Sequence, residues 1–126
     1  MLSENCYCGS DKSFDSCCGL YIKRSQQAPS ALALMKSRYS AYATHQADYL
    51  LATTHNSERK YYSREEILKW ATANKWQKLE IISATENTVE FKAYFIDENN
   101  VNQVHYEFST FKKENGNWFY VDGKFK

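Results

Sequence analysis

An excess of one charge and a long apolar run are both absent from this 126-residue chain. Its 16 Lys and Arg side chains are balanced by 15 Asp and Glu, so charge alone favours no polyelectrolyte partner such as DNA. No apolar run approaches the roughly 18 residues that a membrane-spanning helix needs. The N-terminal MLSENCYCGS lacks the basic and apolar regions of a signal peptide. We therefore expect a cytoplasmic protein with neither a DNA nor a membrane partner.

Several catalytic motifs are also lacking. With only four glycines the chain has no Gly-rich phosphate loop, and it has neither a nucleophile motif nor a second set of metal ligands. Its single proline, Pro29, lies in the polar, aperiodic segment KRSQQAP, which indicates a linker. We therefore predict an N-terminal module over residues 1–24 and a folded domain over residues 25–126. The chain is 43% hydrophobic and 16% aromatic, which suffices for a core without disulfides.

All four cysteines lie in the N-terminal segment NCYCGSDKSFDSCC. In a reducing cytosol thiols persist unless a metal or a catalytic cycle uses them, which argues against a disulfide framework. Cys6 with Cys8 and Cys17 with Cys18 form two close pairs, and two such pairs can close a tetrahedron around Zn²⁺. We predict one structural zinc ion per chain, because four thiolates leave no position open for water. A redox role for the adjacent Cys17 and Cys18 is the alternative.

Other residues of this segment suit a metal site. Gly9 and Gly19 each follow a cysteine directly, where a tight turn needs a residue without a Cβ atom. A cluster of four thiolates around Zn²⁺ carries a net negative charge, which nearby cations can offset. Lys12, Lys23 and Arg24 are the candidates.

Helices are predicted in the first part of the folded domain. Ser30 is a candidate N-cap for a helix with an apolar stripe at three- and four-residue steps. A second short helix is predicted from Asp48 to Thr54. Ser63 and Glu66 form a capping box ahead of a third helix, ILKWATANK.

The pattern then changes to strands. Four aromatic and β-branched runs follow in the order KLEIISAT, TVEFKAYFID, VHYEFSTFKKE and NWFYVDGKF. Asn115 and Gly116 suit a two-residue type I′ hairpin turn. Helices followed by consecutive hairpins predict an α+β fold, in which the helices cover one face of a curved, mainly antiparallel four-stranded sheet.

The cysteine segment resembles the SEC-C motif, a small zinc module. The matching residues are Cys6, Cys8, Gly9, Ser10, Lys12, Cys17, Cys18 and Gly19, and Asp11 stands where that motif usually has Gly. The order of elements resembles the cone of nuclear transport factor 2. The blocks MKSRYSAY, DYLLATTH, WQKLEI, VEFKAYF and NWFYVDG are similar to those of the YchJ-like family, uncharacterised bacterial proteins that join a SEC-C motif to such a cone. The resemblance implies an N-terminal zinc knuckle followed by a nuclear-transport-factor-2-like domain.

A cone of this kind implies a cavity between its helices and its sheet. The polar side chains that we expect there are Arg38, Tyr39, Tyr42, Tyr49, Glu107, Ser109 and Asp122. If the strand face that carries Glu107 points inward, an Arg38–Glu107 pair is expected at the base of the cavity, where a structural ion pair is the favoured interpretation. We interpret Asp122 as a turn residue and His45 and His55 as solvated.

Two hypotheses on function remain. In the first, the zinc module binds a protein or ribosomal partner, and the cone serves as a support or as a homodimer surface. In the second, the protein is an enzyme or carrier that binds a small molecule in the cone. The sequence favours the first, because the zinc motif is specific whereas each cavity residue can be explained as structure.

Overall fold

The computed structural model of the protein describes residues 5–23 and 26–125. Within these ranges the chain forms α1 (Cys18–Ile22), α2 (Ala31–Ala43), α3 (Ala47–Ala52), α4 (Arg64–Ala73), β1 (Lys75–Ala84), β2 (Thr88–Ile96), β3 (Asn102–Glu114) and β4 (Asn117–Phe125). Short 3-10 turns occur at Phe14–Ser16 and Arg59–Tyr61. The predicted boundary at residues 24 and 25, with Arg24 itself, lies outside the described residues. In the described ranges no helix is both long and apolar enough to span a membrane.

The two longest helices begin where their caps predict. The Ser30 hydroxyl accepts a hydrogen bond of 3.0 Å from the backbone N–H of Ala33, and α2 follows it. The Ser63 hydroxyl likewise accepts one of 3.1 Å from the N–H of Glu66, at the start of α4. Each cap satisfies a donor that has no partner inside the helix. Both predicted helix starts are confirmed, and the short helix α3 begins one residue before the predicted Asp48.

The four strands form one antiparallel meander in the order β1-β2-β3-β4. Asn115 and Gly116 connect β3 to β4 with φ angles of 53° and 83°. Two successive positive φ values are those of a type I′ turn, which confirms this prediction. Asp122 lies within β4, paired with Thr110, so its prediction as a turn residue is wrong. The β3–β4 pairing shifts register between Tyr120 and Asp122 and then continues through Gly123 to the end of the strand.

The core lies between the helices and one face of the sheet. In β2 the alternate residues Val89, Phe91, Ala93 and Phe95 are buried, and the first three pack in one cluster with Leu34 and other side chains of α2. The opposite face is polar, with hydrogen-bonded pairs such as Tyr94 with Glu80. A strand that is buried on one face and solvated on the other alternates in this way. The α+β fold with helices on one sheet face is confirmed.

The cysteine module, residues 5–23, packs against α2. Helix α1 lies beside α2, and Ile22 contacts both the cysteine cluster and the main core. Cys6 Sγ lies 3.6 Å from the hydroxyl of Ser40, which is fully buried in α2. Helix α2 therefore supports both the cysteine module and the sheet.

Candidate metal site and cone cavity

The four cysteine sulfurs converge on one point. All four Sγ atoms lie within 4.8 Å of one another, and those of Cys8 and Cys17 are 3.7 Å apart. Tetrahedral coordination with metal–sulfur bonds of about 2.3 Å places the sulfurs about 3.8 Å apart. Three of the cysteines are buried and none is in a disulfide. The residues therefore fit one metal ion held by four thiolates.

Local backbone geometry brings the two cysteine pairs together. Gly9 has a φ of +95°, a left-handed conformation that favours glycine, and its N–H donates to the carbonyl of Cys6. The Cys6 N–H in turn donates to the carbonyl of Lys12, which folds the segment back on itself. The Ser10 hydroxyl donates to Cys17 Sγ at 3.2 Å and so links one pair to the other. The predicted turn at Gly9 is confirmed.

Gly19 has a different role from the one expected. It lies inside α1, and a Cβ atom there would be 2.7 Å from the carbonyl oxygen of Phe14. Close packing, and not a turn, therefore requires glycine at this position. Lys23, a predicted counter-ion of the cluster, instead pairs with Asp15 at 2.7 Å on the surface.

The cysteine sulfurs are close enough to change one another's pKa. A hydrogen bond from Cys18 lowers the pKa of Cys8 to about 4, although burial opposes this. The same hydrogen bond, with burial, raises the pKa of Cys18. Thiols crowded in this way are a set of ligands that a divalent ion can hold as thiolates.

A cavity of about 410 Å³ opens between the helices and the sheet. We call it the cone cavity, and its walls are largely aromatic, formed by Tyr39, Tyr42, Tyr62, Trp70, Trp76, Phe91, Tyr120 and Phe125. Trp76 is central to this wall, since its ring centroid lies 5.4 Å from that of Tyr42 and 6.1 Å from that of Trp70.

The structure distributes the predicted cavity residues unequally. Five of them line the cone cavity, namely Arg38, Tyr39, Tyr42, Glu107 and Asp122. Tyr49 instead borders a separate cavity of about 300 Å³, and its hydroxyl lies 2.7 Å from that of Ser37. Ser109 is fully buried behind Glu107 and hydrogen-bonds to it.

Glu107 is held by three donors. Ser109 Oγ donates at 2.5 Å, His105 Nε2 at 2.6 Å and Tyr120 Oη at 3.1 Å. Burial alone would raise the pKa of this carboxyl group, but the hydrogen bonds from His105 and Ser109 outweigh burial and lower it. The carboxylate is therefore ionised at neutral pH, although its side chain is only 8% exposed.

Arg38 does not pair with Glu107, so the expected ion pair is wrong. Arg38 Nη1 donates to the carbonyl of Leu50 at 2.9 Å and to Thr53 Oγ1 at 2.7 Å. Its guanidinium carbon lies 4.5 Å from the centre of the Tyr120 ring, whose hydroxyl binds Glu107. The acceptor sites of Glu107 are taken by donors from β3 and β4, whereas Arg38 reaches towards α3.

Two histidines also differ from each other. His45 is exposed with a φ of 62°, in agreement with a loop position. His55 is buried, so the prediction of a solvated ring is wrong there. Its Nε2 lies 3.0 Å from Glu114 Oε2, and its Nδ1 lies 2.8 Å from Ser57 Oγ. Glu114 comes from the far end of β3, a contact that local sequence does not reveal.

Tyr120, Trp70 and Trp76 line the site but were not among the predicted residues. Alternation in NWFYVDGKF is the signal that could have placed Tyr120 on an inward face. Trp70 lies within the predicted helix α4, and Trp76 is the second residue of β1, ahead of the predicted run KLEIISAT.

The fold and the site together define a class of protein, in which a four-cysteine module is joined to a helix-covered antiparallel cone. Residues 30–123 match the family model described as YchJ, middle NTF2-like domain. A UPF0225 protein of Yersinia pestis is 38% identical, over 97% of this chain and 84% of its own length. A UPF0225 protein of Geobacter sulfurreducens is 34% identical, over 97% of this chain and 80% of its own. The chain belongs to the YchJ-like family, which confirms the resemblance.

Solved structures agree with this assignment. The solution structure of a SEC-C motif containing protein from Rhodopseudomonas palustris matches with a TM-score of 0.88 and 36% identity, covering 96% of this chain and 98% of that one. The crystal structure of such a protein from Psychrobacter arcticus matches with a TM-score of 0.78 and 27% identity, covering 96% and 75%. Both similarities extend over the cysteine module and the cone.

Proposed function

We propose that the protein binds a small organic molecule in the cone cavity and that its cysteines hold a structural Zn²⁺. One observation carries the first part, a cavity of about 410 Å³ with aromatic walls and a few buried polar groups. Binding sites for small molecules commonly have about 300–1,000 Å³ and this mixture of apolar walls and placed polar groups. The proposal reverses the preference drawn from the sequence, because Arg38 and Glu107 do not neutralise each other.

Zinc is the ion that the donor set favours. Four thiolates in tetrahedral reach are typical of zinc or iron–sulfur sites, and the mutual distance of at most 4.8 Å suits a single ion. All four positions would be taken by cysteine, so this ion would bind no substrate and activate no water. Its role would be to fold a module that is too small for a core of its own.

Binding is favoured over catalysis at the cone cavity. A general base that acts near neutral pH needs a pKa close to that pH. The Glu107 carboxylate has a lowered pKa and already accepts three hydrogen bonds, so it is a weak base. The proposal is therefore a carrier or sensor of a small molecule.

A protein or ribosomal partner of the cysteine module is the second candidate. Tyr7 lies between the first two cysteines, is half exposed, and packs edge-on against Phe14 at 5.7 Å. Exposed aromatic side chains on a rigid support are common at protein interfaces. Sedimentation with ribosomes that is lost in Tyr7→Ser, while metal content is kept, would support this candidate.

Native mass spectrometry of the protein purified without chelators tests the first proposal. We expect one zinc ion per chain and an organic adduct. Ala93→Phe places a ring in the cone cavity from β2 and should remove the adduct, whereas Ala52→Phe, at the separate cavity, should retain it. An unmodified chain without adduct, or an adduct that survives Ala93→Phe, would contradict binding in the cone cavity.

A further inference from the structure

Arg38 is a buried cation that forms no ion pair with any acidic residue in the described part of the chain. Its side chain lies in the middle of α2 and the residue is only 6% exposed. In the described ranges, every ion pair of a Lys, Arg or His joins other residues, such as Arg64 with Asp48 on the surface. A buried charge that lacks a counter-ion is costly, so it is rarely retained for stability alone.

Only one of the three guanidinium nitrogens of Arg38 donates hydrogen bonds within the described residues. Both hydrogen bonds of the guanidinium leave from Nη1 and end on neutral oxygens. Nε and Nη2 donate no hydrogen bond within the described part of the chain. There, the one buried side-chain nitrogen or oxygen without a partner is Trp118 Nε1. Nε and Nη2 are therefore not sealed from solvent, and Arg38 is one of the residues that line the cone cavity.

The acidic groups that line the cavity do not pair with Arg38. Glu107 accepts from His105, Ser109 and Tyr120. Glu58 accepts from Ser57 at 3.1 Å, and Asp122 is an exposed side chain at the rim. None of the three lies within ion-pair distance of Arg38. The counter-charge of Arg38 is thus left to whatever occupies the cavity.

Two tyrosines of α2 accompany Arg38 on the cavity wall. Tyr39 and Tyr42 come from the same turns of α2 and line the same cavity. Burial raises the pKa of Tyr39 to about 12 and raises that of Tyr42, so both remain protonated donors. Within the described ranges neither hydroxyl has a hydrogen-bond partner, and neither is a sealed buried atom. Three residues of one helix thus bring donor groups without an acceptor among the described residues to the cavity wall.

We propose that the cone cavity binds a small organic carboxylate, held by Nε and Nη2 of Arg38, with its apolar body against Trp76 and Phe91. This inference rests on the proposed function and specifies its ligand. A guanidinium edge matches the two oxygens of a carboxylate. A monoanion is favoured over a phosphate dianion, because among the described residues Arg38 is the one Lys or Arg that lines the cavity, and three carboxylates line it as well.

Three probes of one shape test the charge preference. We would titrate the zinc-loaded protein with naphthalene carboxylate, its primary amide and naphthylmethylammonium, and follow the indole N–H signals by NMR. Trp70 and Trp76 line the cone cavity, whereas Trp118 lies at the separate cavity and serves as an internal control. We expect the carboxylate to shift the first two signals alone, and to bind at least about tenfold more tightly than the amide.

Two matched variants test whether Arg38 holds the carboxylate. Arg38→Gln should reduce carboxylate affinity to that of the amide, and Arg64→Gln, on the surface, should leave it unchanged. If Arg38→Gln fails to fold, the order of the three probes' affinities for the unmodified protein still tests the preference for a carboxylate. Equal binding of all three, or tighter binding of the amide or ammonium, would overturn the carboxylate but keep a ligand cavity. No shift at Trp70 and Trp76 with any probe would overturn both proposals.

Discussion

Gly123→Ala is expected to destabilise the protein through a collision with Glu107. A Cβ atom built at Gly123 lies 2.0 Å from Glu107 Oε2, 2.4 Å from Cδ and 2.6 Å from Tyr120 Oη. Ordinary contacts of a Cβ atom begin near 3.4 Å, so the carboxylate must move by more than an ångström. Gly123 is not in the left-handed region, so alanine brings no backbone strain of that kind.

The cost follows from the hydrogen bonds that such a movement breaks. Glu107 Oε2 accepts from both Ser109 and Tyr120, and these are the bonds nearest the new methyl group. A hydrogen bond to a charged group contributes about 1.5–3 kcal/mol, and the displaced carboxylate stays buried. Alanine in place of glycine recovers about 0.5–1 kcal/mol of chain entropy. We expect a net loss of about 2–4 kcal/mol in the free energy of unfolding.

Urea unfolding of the zinc-loaded protein, followed by circular dichroism, measures this loss. The decisive comparison is a double-mutant cycle with Glu107→Ala, which removes the carboxylate. In that background Gly123→Ala should cost at least about 1 kcal/mol less. Gly116→Ala is the matched control, because Gly116 has a φ of +83° and open space around it, so its cost should be the same in both backgrounds. A cost of Gly123→Ala that does not change with Glu107→Ala would refute the collision.

Three further predictions concern protons, metal and packing. Because the pKa of Glu107 is lowered below 4.5, its contribution to stability should be complete above that pH and be lost as the pH falls through the folded-state pKa. Urea unfolding measured at several pH values should show that Glu107→Gln lacks this part of the pH dependence of the free energy of unfolding. Cys8→Ser should weaken zinc binding at least about tenfold by competition with a chelator while the far-ultraviolet spectrum of the cone is retained, and loss of the whole fold would show that the cone depends on the cysteine module. Trp118→Phe should lower the free energy of unfolding less than Trp76→Phe does. Among the described residues Trp118 Nε1 is a buried donor without a partner, whereas Trp76 Nε1 donates to the carbonyl of Ala71. Equal urea unfolding midpoints for the two variants would contradict this prediction.

Local signals were enough to predict most of the fold. Ser30 and Ser63 act through the next turn of chain, and Asn115 with Gly116 forms its hairpin turn alone. The two cysteine pairs are likewise close in sequence, so their convergence follows from short-range geometry. Each of these predictions depends on residues that are near one another in the chain.

The faces on which the β4 residues lie could not be predicted in the same way, because they depend on a strand irregularity. The pairing of β3 with β4 shifts register between Thr110 and Phe111. Strict alternation would place Asp122 on the face of Tyr120, but after the shift Gly123 faces Glu107 and Asp122 is exposed. A β-bulge of this kind moves every later side chain of the strand to the other face. The expected Arg38–Glu107 pair was wrong for a related reason, since the donors to Glu107 come from this same stretch of sheet.

Helix α2 contacts both the four-cysteine cluster and the cone cavity. Ser40 lies against Cys6 Sγ on one side, while Arg38 and Tyr42, each two residues away, carry donors into the cone cavity. An ion that holds the cysteine module in place also restrains the turn of helix that presents those donors. By thermodynamic linkage, if zinc raises the affinity for the ligand by some factor, the ligand raises the affinity for zinc by the same factor. If zinc raises ligand affinity in this way, a chelator used in purification would lower that affinity together with the metal content, so a search for the ligand should begin with the zinc-loaded chain.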